Sequence, residues 1–168
     1  KKLAGEIFTL DDSVDDDDFS WAAQVSVGLD RLVEDFDLDT LAYYHRGLDG
    51  ELHEKLGAGM ILGASLLTAR GIPSTGEYEL RTTVAQLATQ AIGAGGSFTE
   101  IQALNFIDNV VEMGHDGPAH LALSSKDPLL IGLGSARQHR GRIVAHRRAR
   151  HPLKSCGQGV FAHLPLDR

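Results

Sequence analysis

Leu41-Ala42-Tyr43-Tyr44 runs directly into His45-Arg46-Gly47-Leu48-Asp49-Gly50, and this stretch decides the fold. Its first half is a short apolar run of the kind that forms a buried strand, and its second half reads as the loop leaving that strand's C-terminal end. Glu51 to Ala69 follows as a helix, with Leu52, Leu56, Met60, Leu66 and Leu67 on its expected buried side. Gly57, Gly59 and Gly63 would let that helix approach a sheet closely, and Gly71-Ile72-Pro73 stops it. Upstream, Phe19, Ala22, Val25, Leu29, Leu32, Val33 and Phe36 recur at helical spacing until Glu34-Asp35-Phe36-Asp37. Downstream, a third helix is expected from about Glu77 to Ile92, with Val84, Leu87, Ala88 and Ala91 facing inward. Helix, strand and helix in alternation argue for an α/β layer.

The texture changes at Gly93-Ala94-Gly95-Gly96. Beyond it lie short apolar pieces separated by turns, Ile101 to Phe106, Val110 to Met113 and His120 to Leu123, which read as strands. The glycine run lacks the Lys-Ser/Thr ending of a phosphate loop and reads as a hinge. The expected organisation is the end of a Rossmann-like α/β domain over residues 1–93, the start of a mainly-β C-terminal domain over 94–134, and a basic tail over 135–168.

Charge divides the chain at the same place. The overall net charge is −7, yet up to Gly134 there are 8 Lys and Arg against 22 Asp and Glu, and beyond it 8 against Asp167 alone. Four of the eight histidines, His139, His146, His151 and His163, also lie in the tail. Asp11 to Asp18 is an acidic loop whose last Asp is expected to cap a helix and favour its positive end. It lacks the ordered Gly and terminal Glu of an EF-hand.

The lone Cys156 excludes an intramolecular disulfide and a cysteine-based zinc site, which fits a reducing, cytoplasmic setting. No apolar run approaches the roughly 20 residues of a membrane span, and no signal-peptide core opens the chain. With Lys rather than Met at position 1, the chain is expected to begin inside a longer protein.

Within residues 76–118, three places put an acid or an imidazole beside glycine-rich backbone: Gly76-Glu77, Ser97-Phe98-Thr99-Glu100 and Gly114-His115-Asp116-Gly117-Pro118. Glu77, Glu100 and His115 make an oxygen/nitrogen ligand set suited to a divalent cation such as Mn²⁺. Carboxylates beside such a cation can move protons while the cation polarises a carbonyl. Each residue also has a plain structural reading. Ser74-x-x-Glu77 and Ser97-x-x-Glu100 are capping-box patterns, and His115 could be a turn residue. His120 reads as a half-buried strand residue, with a place in the site as the alternative.

Leu38 to Gly47, Gly71 to Glu77, Gly95 to Glu100 and Met113 to Pro118, taken in order, resemble the C-terminal half of L-arabinose isomerases and their close homologues in the arabinose/fucose isomerase-like family. The resemblance covers about residues 10–134. It implies an aldose–ketose isomerase dependent on Mn²⁺ or another divalent cation, acting through an enediol with two Glu as acid and base. In that family two Glu and two His surround the metal, and Glu77, Glu100 and His115 match three of the four. The resemblance further implies Glu77 and Glu100 as both catalytic and metal-binding, and His115 as a ligand only. His45 and Arg46, at the end of a strand, are weaker candidates for substrate binding. Pairing of Arg46 with Asp49 or Glu51 is the alternative. A small-molecule sugar is the expected partner, with neither nucleic acid nor membrane, and a homo-oligomer (trimer or hexamer) is expected of the full-length parent.

After Leu133-Gly134 the resemblance stops. Residues 135–168 show little periodicity, and three readings compete: out-of-frame translation of a GC-rich gene, a genuine basic arm for an acidic partner or nucleic acid, and attraction to the chain's own acidic body. The family's fourth ligand lies further along than this chain extends, so the tail histidines are not assigned to it. Two other functional classes remain open on sequence alone: a non-catalytic sugar-binding or regulatory α/β protein, and a basic-tailed interaction protein.

Overall fold

Asp15 starts the first long helix by accepting the backbone N–H groups of Asp17 and Asp18 at 2.9 and 3.2 Å. Asp16, Asp17 and Asp18 fill the first turn, where their charge meets the positive end of the helix. The cap is therefore Asp15, and the last acids of the run lie inside the helix. In the computed structural model, residues 1–44, 51–107, 110–115, 118, 120–121, 129–132, 143–146 and 160–165 are described. They form α1 (Lys2–Ile7), β1 (Thr9–Leu10), α2 (Asp16–Phe36), β2 (Leu41–Ala42), α3 (Glu51–Ala69), β3 (Ser74–Thr75) and α4 (Leu80–Ala91). β4 (Glu100–Asn105), β5 (Val110–His115), β6 (Leu129–Gly132), β7 (Ile143–His146) and β8 (Val160–Pro165) follow. Helices and strands are mixed, with short parallel pairs, an arrangement compatible with the α/β class; among the described residues no helix is long and apolar enough to cross a membrane.

Helices α2 and α3 pack face to face. Phe19, Ala22, Val25, Leu29 and Val33 are buried, as their spacing predicts, whereas Leu32 and Phe36 lie off that stripe and are exposed. α3 is buried through Ile61, Leu62, Ala64, Leu67 and Thr68, so the covered side is broader than the expected one, and Leu56 is exposed. Gly59 and Gly63 of α3 meet a helix and not a sheet. A Cβ at Gly59 would sit 2.8 Å from the Trp21 indole nitrogen, and one at Gly63 would sit 2.8 Å from the Ser26 Cα.

β2 and β3 pair in parallel, Leu41 opposite Ser74 and Ala42 opposite Thr75, with α3 as the crossover between them. The strand at Leu41 is two residues long. Tyr43 beyond it is buried and Tyr44 is exposed. β1 pairs in parallel with β6, which pairs antiparallel with β7; β4, β5 and β8 form an antiparallel sheet. The segment after Gly134 thus adds one strand to each of two sheets. His120 and Leu121 do not extend a strand; Leu121 lies in a tight helical turn.

Leu130, fully buried, shares a core with Ala4, Phe8, Phe19, Ala22 and Leu62, so residues from both sides of the Gly93–Gly96 run close one apolar cluster. A second cluster joins Val25, Leu29, Val33 and Leu67. Gly93, at φ 75°, ends α4 in the left-handed conformation that glycine adopts without steric cost, and the N–H groups of Ala94 and Gly95 both reach the Thr89 carbonyl. The glycine run therefore serves as a helix C-cap.

α4 departs from the sequence expectation in two respects. It begins at Leu80, with Glu79 as its cap, and three of its four expected inward positions face outward: Val84 is 66% exposed, Ala88 and Ala91 are exposed as well, and Leu87 is half-buried. The covered residues are Thr83 and Gln86. The cause is polar packing on β3. Thr83 donates its hydroxyl to the Glu79 carbonyl at 2.9 Å, which leaves the buried Thr75 hydroxyl as the donor to Thr83.

Candidate metal centre

Glu77 stands immediately beyond β3, at the carboxyl end of the parallel pair, where α/β sheets place their ligands. The capping-box reading of Ser74-x-x-Glu77 fails here for a local reason. Ser74 is a buried strand residue whose N–H donates to Thr68 Oγ1 at 3.1 Å and whose hydroxyl donates to the Ile72 carbonyl. Glu79 takes the cap instead, accepting the Arg81 N–H at 3.1 Å. Glu77 is left exposed, and among the described residues its carboxylate enters no hydrogen bond or ion pair.

The backbone there is unusual. Glu77 at φ 59° and Tyr78 at φ 56° are consecutive non-glycine residues in the left-handed region, each costing roughly 1–2 kcal/mol. Two hydrogen bonds hold the turn: the Tyr78 N–H donates to the Tyr43 carbonyl at 3.0 Å, and the Glu79 N–H donates to the Gly76 carbonyl at 3.2 Å. Tyr43 in turn donates to the Thr75 carbonyl, so the turn after β3 is tied to the segment leaving β2. Strain of this kind persists only where the surroundings impose it.

Glu100 opens β4. No helix follows Ser97, so its capping-box reading also fails; the Ser97 hydroxyl accepts the His120 N–H at 3.2 Å. In the β4–β5 register Glu100 stands opposite Gly114, next to His115 at the end of β5, on strands roughly 4.8 Å apart. A bulge between Ile101 and Ala103 interrupts the ladder immediately beyond, a feature enriched beside functional sites. The hairpin thus brings the Glu100 and His115 backbones together, whereas Glu77 lies on a separate element, the β3–α4 turn.

The His115 side chain, His45, Arg46, Asp116 and Gly117 lie outside the described residues. Among the described residues there is no cluster of three or more His, Cys, Asp or Glu side chains able to hold a metal. His120 packs on Gly95, whose added Cβ would lie 3.3 Å from the His120 Nε2, and burial holds its imidazole below the usual pKa and so neutral. Sequence reasoning missed Tyr78, which shares the strained turn with Glu77; the motif Gly76-Glu77-Tyr78-Glu79 carried no signal for a left-handed pair.

Compared with known proteins, the chain matches no protein-family model and no curated protein sequence.

Proposed function

We propose that this chain is part of a metal-dependent aldose–ketose isomerase interconverting L-arabinose and L-ribulose, or a related sugar pair, through an enediol. The observation that carries this reading is Glu77: an exposed carboxylate without a partner among the described residues, held on a strained turn at the carboxyl end of a parallel strand. The ordered motifs that resemble L-arabinose isomerases support it, as does the removal of both capping-box alternatives. In its finer form the reading takes residues 1–93 as the end of a Rossmann-like domain and 94–134 as the start of a mainly-β domain, in a cytoplasmic, homo-oligomeric parent enzyme.

Two carboxylates and one imidazole suit a divalent cation such as Mn²⁺, which would supply Lewis acidity at the sugar O1 and O2. Glu77 and Glu100 would hold the cation and divide the proton work: one carboxylate would take the proton from C2 of the aldose and deliver it to C1, while the other would carry the hydroxyl proton from O2 to O1. His115 would contribute a neutral imidazole nitrogen. His45 and Arg46, leaving β2, would hold sugar hydroxyls.

Electron paramagnetic resonance of free Mn²⁺ tests this reading. Titration of the chain should show saturable binding, weakened at least about tenfold by each of Glu77→Gln, Glu100→Gln and His115→Gln. Unchanged affinity in all the variants overturns the assignment. With three of the family's four ligands, the isolated chain should convert L-arabinose little or not at all; robust Mn²⁺-dependent turnover would contradict the incomplete site.

A further inference from the structure

The turn that presents Glu77 presents Tyr78 as well. The two are consecutive, both left-handed, and Tyr78 is 62% exposed although it is a large aromatic residue two positions after the buried Gly76. A glycine would adopt φ 56° without strain, so a tyrosine at this position is retained at a cost in stability. The neighbouring strand end carries a second exposed tyrosine. Tyr43 is bonded to the turn through its carbonyl and is buried, and Tyr44, the next residue, is 44% exposed. The carboxyl edge of the β2–β3 pair thus carries a Glu77 carboxylate that enters no hydrogen bond or ion pair among the described residues, together with two exposed tyrosines.

We infer that Tyr78, with Tyr44 beside it, forms an aromatic platform for the sugar, and that Tyr78 is a substrate-positioning and specificity residue. The inference rests on the isomerase reading for its substrate class. A sugar ring has one face richer in polarised C–H bonds, and the negative face of an aromatic ring attracts them while its rim stays wet. A rigid ring placed one residue from the proton-moving carboxylate would present C1 and C2 to Glu77 in one orientation. Because both φ angles belong to the same turn, the backbone that exposes Glu77 also fixes where Tyr78 stands. The strain is explained by that joint presentation.

Saturation-transfer difference NMR with L-arabinose and Mg²⁺ reads the contact, and Mn²⁺ paramagnetic resonance reads the metal separately. Wild type and Tyr78→Phe should transfer saturation to the C–H protons of one sugar face, whereas Tyr78→Ala and Tyr78→Gly should lose most of it with unchanged Mn²⁺ affinity. Tyr78→Gly should at the same time raise the melting temperature, which shows that the lost contact is not lost folding. Full saturation transfer in Tyr78→Ala, or sugar and Mn²⁺ binding lost together in it, overturns the inference. Mn²⁺ binding by wild type without sugar contact removes the platform and leaves the isomerase reading standing. Tyr78-dependent sugar contact without Mn²⁺ binding supports the platform and removes the isomerase reading.

Discussion

Gly28→Ala and Gly63→Ala should change stability in opposite directions, although both replace a glycine within a long helix. Alanine in a helix interior is favoured over glycine by about 0.8–1.0 kcal/mol. At Gly28 nothing lies within 4 Å of the added Cβ, so the whole gain should be expressed. At Gly63 the Cβ would sit 2.7 Å from Leu29 Cδ1 and 2.8 Å from the Ser26 Cα. The second contact is with backbone, so α2 must move, and Leu29 is itself core. Taking about 2–3 kcal/mol, the upper half of the usual overpacking range, leaves a net loss of about 1–2 kcal/mol. At roughly 2–4 °C per kcal/mol for a domain of this size, Gly28→Ala should melt about 2–4 °C higher and Gly63→Ala about 2–8 °C lower. Trp21, the single tryptophan, reports directly, since its indole N–H donates to the Lys55 carbonyl across the same interface at 2.8 Å. Urea unfolding followed by its emission should show the two midpoints displaced to either side of wild type. If Gly63→Ala is stabilised as Gly28→Ala is, the α2–α3 packing argued here is wrong.

Other expectations are simpler. The Gln86 side chain is buried and, among the described residues, neither amide atom is hydrogen-bonded, so Gln86→Leu should stabilise by about 1 kcal/mol, measured by urea midpoint; a loss would mean that the amide has a partner in solution. Asp15→Ala should cost about 1 kcal/mol through loss of the α2 cap, and Asp12→Ala, outside the helix, should change the midpoint far less. For His120 the folded pKa lies below the usual value, so the unfolded chain takes up its proton first. Its share of stability is complete above pH about 6.5 and is lost as the pH falls through the lower, folded value, so melting curves from pH 7 to 5 should fall less steeply in His120→Gln. An equal slope in the variant would refute that cause.

The long helices were legible because they repeat apolar residues at their own period and carry their own stop signals. Glu51–Ala69 needed only Gly71-Ile72-Pro73 beyond it. The inward face of α4 was not legible, since Val84 and Ala88 are apolar yet the side that meets β3 was decided by the hydrogen-bonded Thr75 and Thr83. The start of α4 was misread for a related reason: Ser-x-x-Glu signals a cap only if the Ser is free, and here pairing with β2 takes Ser74 into a strand. The glycines of α3 announced a close approach but could not name the partner, because both a helix and a sheet can fill a groove of that depth. At the candidate site, Glu77, Glu100 and His115 are candidates from chemistry and motif order alone. The left-handed pair at Glu77 and Tyr78 was not legible, because it depends on the Tyr78 N–H reaching the Tyr43 carbonyl across the parallel strands and the Glu79 N–H reaching the Gly76 carbonyl.

The most direct test is a crystal of the chain grown with Mn²⁺ and measured at an X-ray energy where manganese scatters anomalously. The account predicts one strong anomalous peak, roughly 2.0–2.2 Å from carboxylate oxygens of Glu77 and Glu100 and a ring nitrogen of His115. A fully occupied peak elsewhere, or Glu77 and Glu100 on separate surfaces with no shared density in Mn²⁺ excess, would contradict it.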